Sequence, residues 1–172
     1  MPIYALGDQE PVIDSSAYVH PDAVIIGSVT IGPRASIWPT AVLRADYGRI
    51  EVGADTSIQD GTVVHCTSRH PTLIAERCTI GHNAHLEGCD IRHDSLIGSG
   101  SVVLALAVVG PHAMVGAAAM VPGGTLVPPG ARALGVPARI TPGVIEEGSL
   151  DRYVDLYVAN GKRYAAELRR LG

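Results

Sequence analysis

The sequence predicts an all-β solenoid with a C-terminal α-helix, and three observations carry that prediction. The first is a six-residue period of branched aliphatic residues that persists through most of the 172 residues. The second is a composition in which 47% of residues are hydrophobic but only 4% aromatic, with no Phe. The third is the presence of 20 Gly and 12 Pro, a density of turn residues that an ordinary helical bundle does not carry.

The repeat begins with Ile13, Val19, Ile25, Ile31, Ile37 and Leu43, each six residues after the last. A nine-residue step leads to Val52, Ile58 and Val64, and a ten-residue step to Ile74, Ile80 and Leu86. After a slip of one to Ile91 the period continues through Ile97, Val103, Val109, Val115, Val121 and Val127. Four residues after nearly every aliphatic position stands a small residue, such as Ala23, Ala35, Thr56, Cys78, Ser95 or Ala113. One large and one small inward position per hexad describe a short strand and a tight turn. Three hexads per coil then close a triangular solenoid whose coils stack like strands in a sheet. Such a narrow bore explains the missing Phe. Gly often follows the aliphatic position, as at Gly32, Gly53, Gly81, Gly98, Gly110 and Gly116, where the backbone is expected to bend closely at a corner.

The ten-residue step predicts a short extruded loop, Thr67 to Leu73. The solenoid is expected to end near Val127, at Pro128-Pro129-Gly130 and Gly135-Val136-Pro137. The chain therefore divides into a β-helix domain, residues 1–140, and a helical segment, residues 141–172. In the latter Ser149 is placed to cap a helix whose apolar stripe comprises Tyr153, Leu156, Tyr157, Tyr164, Leu168 and Leu171. Gly161 is expected to weaken its middle.

Charge narrows the function classes. With 13 Lys+Arg against 17 Asp+Glu, the net charge of −4 offers no basic excess to hold a phosphate backbone, which argues against nucleic-acid binding. Met1-Pro2-Ile3-Tyr4 has neither a basic nor an apolar leader, so a cytoplasmic location is expected. The apolar run Val102 to Val109 is far short of the roughly 20 residues of a membrane helix. Cys66, Cys78 and Cys89 are odd in number and lack CxxC spacing, which fits buried free thiols better than a disulfide framework or a Cys-rich zinc site.

With three hexads per coil, equivalent residues stack about 4.8 Å apart. The position after the third aliphatic residue then reads Arg44, His65 and Glu87 in successive coils. Two positions after the second aliphatic residue it reads Pro39, Asp60 and His82, and one position after it Trp38, Gln59 and Gly81. His65 and Glu87, one coil apart on one face, could hold a single ion. His82 projects from the preceding face and is better placed to meet the site of another subunit. His20, His70, His93 and His112 read as solvated outward histidines.

The runs Ile37-Trp38-Pro39-Thr40-Ala41-Val42-Leu43-Arg44-Ala45-Asp46, Ile58-Gln59-Asp60-Gly61, Val64-His65-Cys66-Thr67, Ile80-Gly81-His82 and Glu87-Gly88-Cys89 resemble the gamma-class carbonic anhydrase-like family of trimeric hexapeptide-repeat proteins. Gly135-Val136-Pro137-Ala138-Arg139 is a further match, shared with related acyltransferases. The resemblance implies a left-handed parallel β-helix, a homotrimer, and a zinc or other divalent transition metal ion (Fe, Co or Ni) held by histidines of two neighbouring subunits. It implies that metal-bound water or hydroxide attacks CO₂. By position His65 and His82 match two of the ligands. Arg44, Asp46 and Asp60 resemble residues that make salt bridges across the trimer interface, Gln59 one that hydrogen-bonds the hydroxide, and Tyr157 one that leans into the pocket, although Leu156 stands where an Asn usually precedes it.

The third ligand is normally a His five residues after the second, and here that place is Glu87. Three outcomes follow. Glu87 ligates directly; or His85 becomes the third ligand with Glu87 behind it; or the site holds metal weakly or not at all. A carboxylate in place of an imidazole should raise the pKa of a bound water above the value of about 7 typical of a three-histidine zinc site. Tyr47 replaces the family's glutamate after Arg44-Ala45-Asp46, so no proton shuttle is visible there, and His85 could serve only if it is not a ligand. Other readings stay open: thioester hydrolysis by the same metal-bound nucleophile, a hexapeptide acyltransferase, for which His70 on the loop is the candidate catalytic histidine, and a trimeric scaffold or binding module without catalysis.

Overall fold

The computed structural model describes residues 2–172; Met1, part of the segment read above for a leader, lies outside them. Short strands wind into a left-handed parallel β-helix of triangular section. One face is a separate sheet, in which Ser36, Ser57, Thr79, Leu96, Met114 and Arg132 stand in register from coil to coil. The other two faces belong to one twelve-stranded sheet, because the strands Val24–Ile31 and Val42–Val52 run around the corner between them without breaking. The nine-residue step in the repeat is that long second strand. Gly27, at φ +78°, and Gly48 allow it, since a Cβ would lie 2.3 Å from the Ala45 carbonyl oxygen at the first and 2.7 Å from the Thr67 carbonyl oxygen at the second.

The six-residue period is the core. Ile25, Ile37, Leu43, Ile58, Val64, Ile80, Leu86, Ile97, Val103, Val115 and Val121 are fully buried in the bore. Each such side chain contributes about 1.5–3 kcal/mol through burial. Ile13 and Val19, in the first coil, are only partly buried against it. At the small positions, hydroxyls bind the adjacent coil: Thr62 Oγ1 donates to the Gly81 carbonyl at 2.8 Å and Ser95 Oγ to that of Gly110 at 2.9 Å.

Glycine has a different task at the corners from the expected one. The left-handed turn positions along one edge are Arg34, Asp55, Arg77, Asp94, His112 and Gly130, with φ between 55° and 63°, so mostly non-glycine residues carry that conformation. Gly53 and Gly98, after the aliphatic position, instead give neighbouring coils clearance: a Cβ there would lie 2.4 Å from the backbone nitrogen of Glu76 or of Ala117.

Three boundaries differ from expectation. The loop is shorter than Thr67 to Leu73, because Thr72–Ile74 is a strand in which Leu73 pairs with Glu51 and Asp90. The solenoid continues past Val127, with Ala131 and Ala133 fully buried, until Arg139–Thr141 folds back antiparallel on Arg132–Leu134 and closes the open end. The helix spans Asp151–Glu167. Ser149 does not cap it, since its hydroxyl turns back to the Glu146 carbonyl at 2.6 Å and Leu150 stands at the N-cap.

The expected apolar stripe is also corrected. Leu156 is exposed, Leu168 and Leu171 lie beyond the helix, and the buried helix residues are Val154 and Gly161. Gly161 lies where the helix meets the solenoid, and a Cβ there would touch the Cβ atoms of Tyr18 and Ser36 at 3.6 Å, an ordinary van der Waals distance. Around that contact Trp38 packs edge-on against Tyr157 and Tyr164, with centroids 5.6 and 5.0 Å away. Its indole N–H is shared by Ser36 Oγ and Ser57 Oγ, both at 3.0 Å. The ring that has no room in the bore is thus buried outside it, beneath the helix.

Candidate functional site

Strand register brings Arg44, His65 and Glu87 side by side, as the stacking argument expects. His65 Nε2 lies 3.0 Å from Asp46 Oδ1, and the Arg44 guanidinium pairs with the other oxygen of Asp46. The second ring nitrogen of His65 points the other way, with Nδ1 4.0 Å from Glu87 Oε1. Glu87 Oε2 lies 3.4 Å from His85 Nε2, because residues 85 and 87 alternate out of the bore with buried Leu86 between them. Burial opposes ionisation of Asp46, but the hydrogen bonds with His65, a backbone N–H and Arg44 outweigh it and hold the carboxyl below its ordinary range. Tyr47 stands edge-on to His65, with centroids 6.4 Å apart, and its ring is largely exposed.

A second group forms at the corner before this face. His82 Nδ1 lies 2.8 Å from Asp60 Oδ2, which leaves Nε2 free. Gln59 is buried beside them, and Tyr157 reaches in from the helix. Burial pushes the Tyr157 hydroxyl up, the Asp60 charge adds to this, and a hydrogen bond with Gln59 works against it. Gln59, His82 and Tyr157 border an open cavity of about 580 Å³ between the helix and the separate sheet, continued by Leu96, Met114 and Leu156.

Within one chain the two groups stay apart. Among the described residues, the set of three His, Cys, Asp or Glu side chains with ligand atoms all within 4.8 Å of one another is His93, Asp94 and His112, none of them a candidate above. The donor chemistry nevertheless fits a divalent ion in the way metal-binding histidines usually do: His65 and His82 each engage a carboxylate through one ring nitrogen, which fixes the ring and leaves the other nitrogen to coordinate. His70 sits in a tight loop, where its backbone N–H bonds Thr67 Oγ1 at 2.9 Å. Cys66, Cys78 and Cys89 are free and buried, and desolvation pushes Cys78 and Cys89 up to about 12.

Sequence reasoning passed over His93, Asp94 and His112, although a signal was present. Asp94 and His112 are eighteen residues apart, one full coil of three hexads.

No protein-family profile matches the chain. The carnitine operon protein CaiE of Escherichia coli K12 is 40% identical over 147 residues, which cover 86% of this chain and 75% of that protein. A hexapeptide transferase family protein from Anaplasma phagocytophilum superposes with a TM-score of 0.89 at 34% identity, covering 95% of this chain and 98% of its own. The chain belongs to the gamma-class carbonic anhydrase-like family of hexapeptide-repeat proteins. Gamma carbonic anhydrase 1, mitochondrial, of Arabidopsis thaliana is 41% identical over 111 residues, 61% of this chain and 40% of that protein. A putative acetyltransferase from Bacillus cereus has a TM-score of 0.89 at 32% identity over 94% of this chain and 95% of its own. The chain spans 56% of the length of a Proteus CaiE protein, to which it is 46% identical over 110 residues. Among the described residues no helix is long and apolar enough to cross a membrane.

Proposed function

We propose that this chain is one third of a homotrimeric, cytoplasmic metalloprotein that hydrates CO₂ reversibly at sites shared between neighbouring subunits. The observation that carries the proposal is the paired arrangement of His65 on Asp46 and His82 on Asp60: two carboxylate-backed histidines with free nitrogens, on different edges of one solenoid. A face of one copy set against the corner of the next unites them. His65 and Glu87 of one subunit and His82 of another would then hold a zinc, iron, cobalt or nickel ion, for which imidazole and carboxylate donors are suited. Such an ion, when bound, lowers the pKa of a coordinated water and supplies a nucleophile for an electrophilic carbon.

The protein's own residues do the rest. Asp46 and Asp60 fix the imidazole rings and their tautomers, and Arg44 holds Asp46 in place. The buried Gln59 orients the nucleophile from the side of Tyr157, which closes the pocket beneath the helix. His85, against Glu87 and about one third exposed, carries protons to solvent when Glu87 is the ligand. Metal analysis together with CO₂ hydration kinetics tests the reading: one ion per chain that is lost in His65→Ala and His82→Ala, with hydration activity that falls alongside it, is expected, and stoichiometric metal at this site without activity would sink it.

The transferase names of two solved relatives favour a second reading, acyl transfer, for which His70 borders a small hollow with Gly48, Arg49 and Thr67, apart from the cavity beside Gln59 and His82. If His70 is its base, His70→Ala abolishes turnover of an acyl-CoA; full retained activity removes His70 from that role.

A further inference from the structure

The edge of the solenoid opposite the Arg44, His65 and Glu87 face carries a ladder of left-handed turn residues, Arg77, Asp94 and His112, one per coil. From this edge, the geometry points to a second, independent transition-metal site formed by His93, Asp94 and His112 within a single chain.

One ligand atom from each of the three lies within 4.8 Å of the other two. Four-coordinate ligands about 2.1 Å from a zinc-sized ion stand roughly 3.4 Å apart, so no pair has to close by more than about 1.4 Å. The fold holds the three together: the His112 N–H donates to the His93 carbonyl at 3.2 Å, which keys one coil to the next. The two imidazole rings are perpendicular with centroids 5.3 Å apart, so they do not stack face to face. His93 Nδ1 lies 2.8 Å from Asp94 Oδ2.

Asp94 is aimed from behind. Arg77 Nε donates to Asp94 Oδ1 at 2.6 Å, while Arg77 Nη2 donates to Asp151 Oδ1 at 2.8 Å, tying the corner to the first turn of the helix. The arginine therefore occupies one carboxylate oxygen and leaves the other on the histidine side. Glu147 Oε1 is 3.8 Å from His112 Nε2 and largely exposed, available as a fourth donor. Two imidazoles and one or two carboxylates suit zinc, cobalt, nickel or copper, and are a poor match for magnesium or calcium, which take oxygen ligands. An ion here would join two consecutive coils to the segment leading into the helix.

The test is titration of metal-free protein with Co²⁺, read by its visible d–d absorption, in a His65→Ala/His82→Ala background that removes the first site. One equivalent per chain is expected to remain, and to be lost when His93→Gln and His112→Asn are added. Asn is chosen at position 112 because φ there is +55°, a conformation it accepts. No Co²⁺ bound in the background protein, or binding undiminished by the added pair, overturns the site. If the background protein fails to assemble, the pair is placed in the otherwise unaltered chain, where Co²⁺ content must fall by one equivalent and metal must cease to raise the melting temperature above that of the first site alone.

Discussion

Nε2 of His65 lies 3.0 Å from Oδ1 of Asp46, so this histidine is oriented by a carboxylate two residues past Arg44 on the adjacent coil. The contact commits one ring nitrogen and turns the other toward Glu87. Asp46→Asn therefore weakens metal binding by about 10–100-fold, the usual effect of losing such a partner. Competition with a chromophoric chelator measures it; unchanged affinity would mean that Asp46 does not orient the ring.

The family resemblance puts Glu87 where a third histidine ligand is expected. Glu87→His removes a negative charge from the donor set, so the ionisation that governs CO₂ hydration moves to lower pH and the rate at neutral pH rises. The pH dependence of kcat distinguishes this from the alternative ligand, since no shift is expected if His85 rather than Glu87 completes the set.

The buried thiols make a prediction about stability. Cys78 and Cys89 are pushed up to about 12 by desolvation, against about 8.5 in an unfolded chain. Between those values the unfolded chain has lost thiol protons that the folded chain retains, so stability falls as pH rises above about 8.5. Melting temperature against pH reveals the slope, and Cys78→Ala, at a position filled by Ala35 and Ala113 in other coils, makes it shallower. Iodoacetamide should leave both thiols unmodified in the native protein at neutral pH.

Gly161 separates close packing from helix propensity. A Cβ at this position meets Ser36 and Tyr18 at 3.6 Å, an ordinary contact, so Gly161→Ala stabilises the protein by about 0.5–1 kcal/mol. Gly161→Leu lifts the helix from Trp38 and destabilises by about 1–3 kcal/mol. Denaturant unfolding of the two variants must give opposite signs.

The solenoid was legible because its core follows chain-local arithmetic: every hexad delivers one aliphatic residue inward, and even the interrupted positions Val52 and Ile74 remain in register in the bore. The same arithmetic predicted that Arg44, His65 and Glu87 share a row and that Asp60 and His82 are neighbours. What stayed hidden depended on partners distant in sequence. The continuity of Val42–Val52 is set by backbone clearance at Gly48, and the buried side of the helix by the approach of Gly161 to Tyr18 and Ser36. His93 and His112 looked like solvated residues because each was read alone, although the eighteen-residue coil spacing stacks His112 on Asp94.

The central claim is that each metal site takes His65 from one subunit and His82 from the next, and co-expression of His65→Ala chains with His82→Ala chains tests it most directly. Neither variant alone forms an intact site. In trimers assembled at random from equal amounts, about one site in four pairs an intact His65 with an intact His82. The account predicts that purified mixed trimers regain about a quarter of the metal at that site and of the CO₂ hydration activity of the unaltered protein. Mixed trimers with no more metal or activity than either variant alone would contradict it.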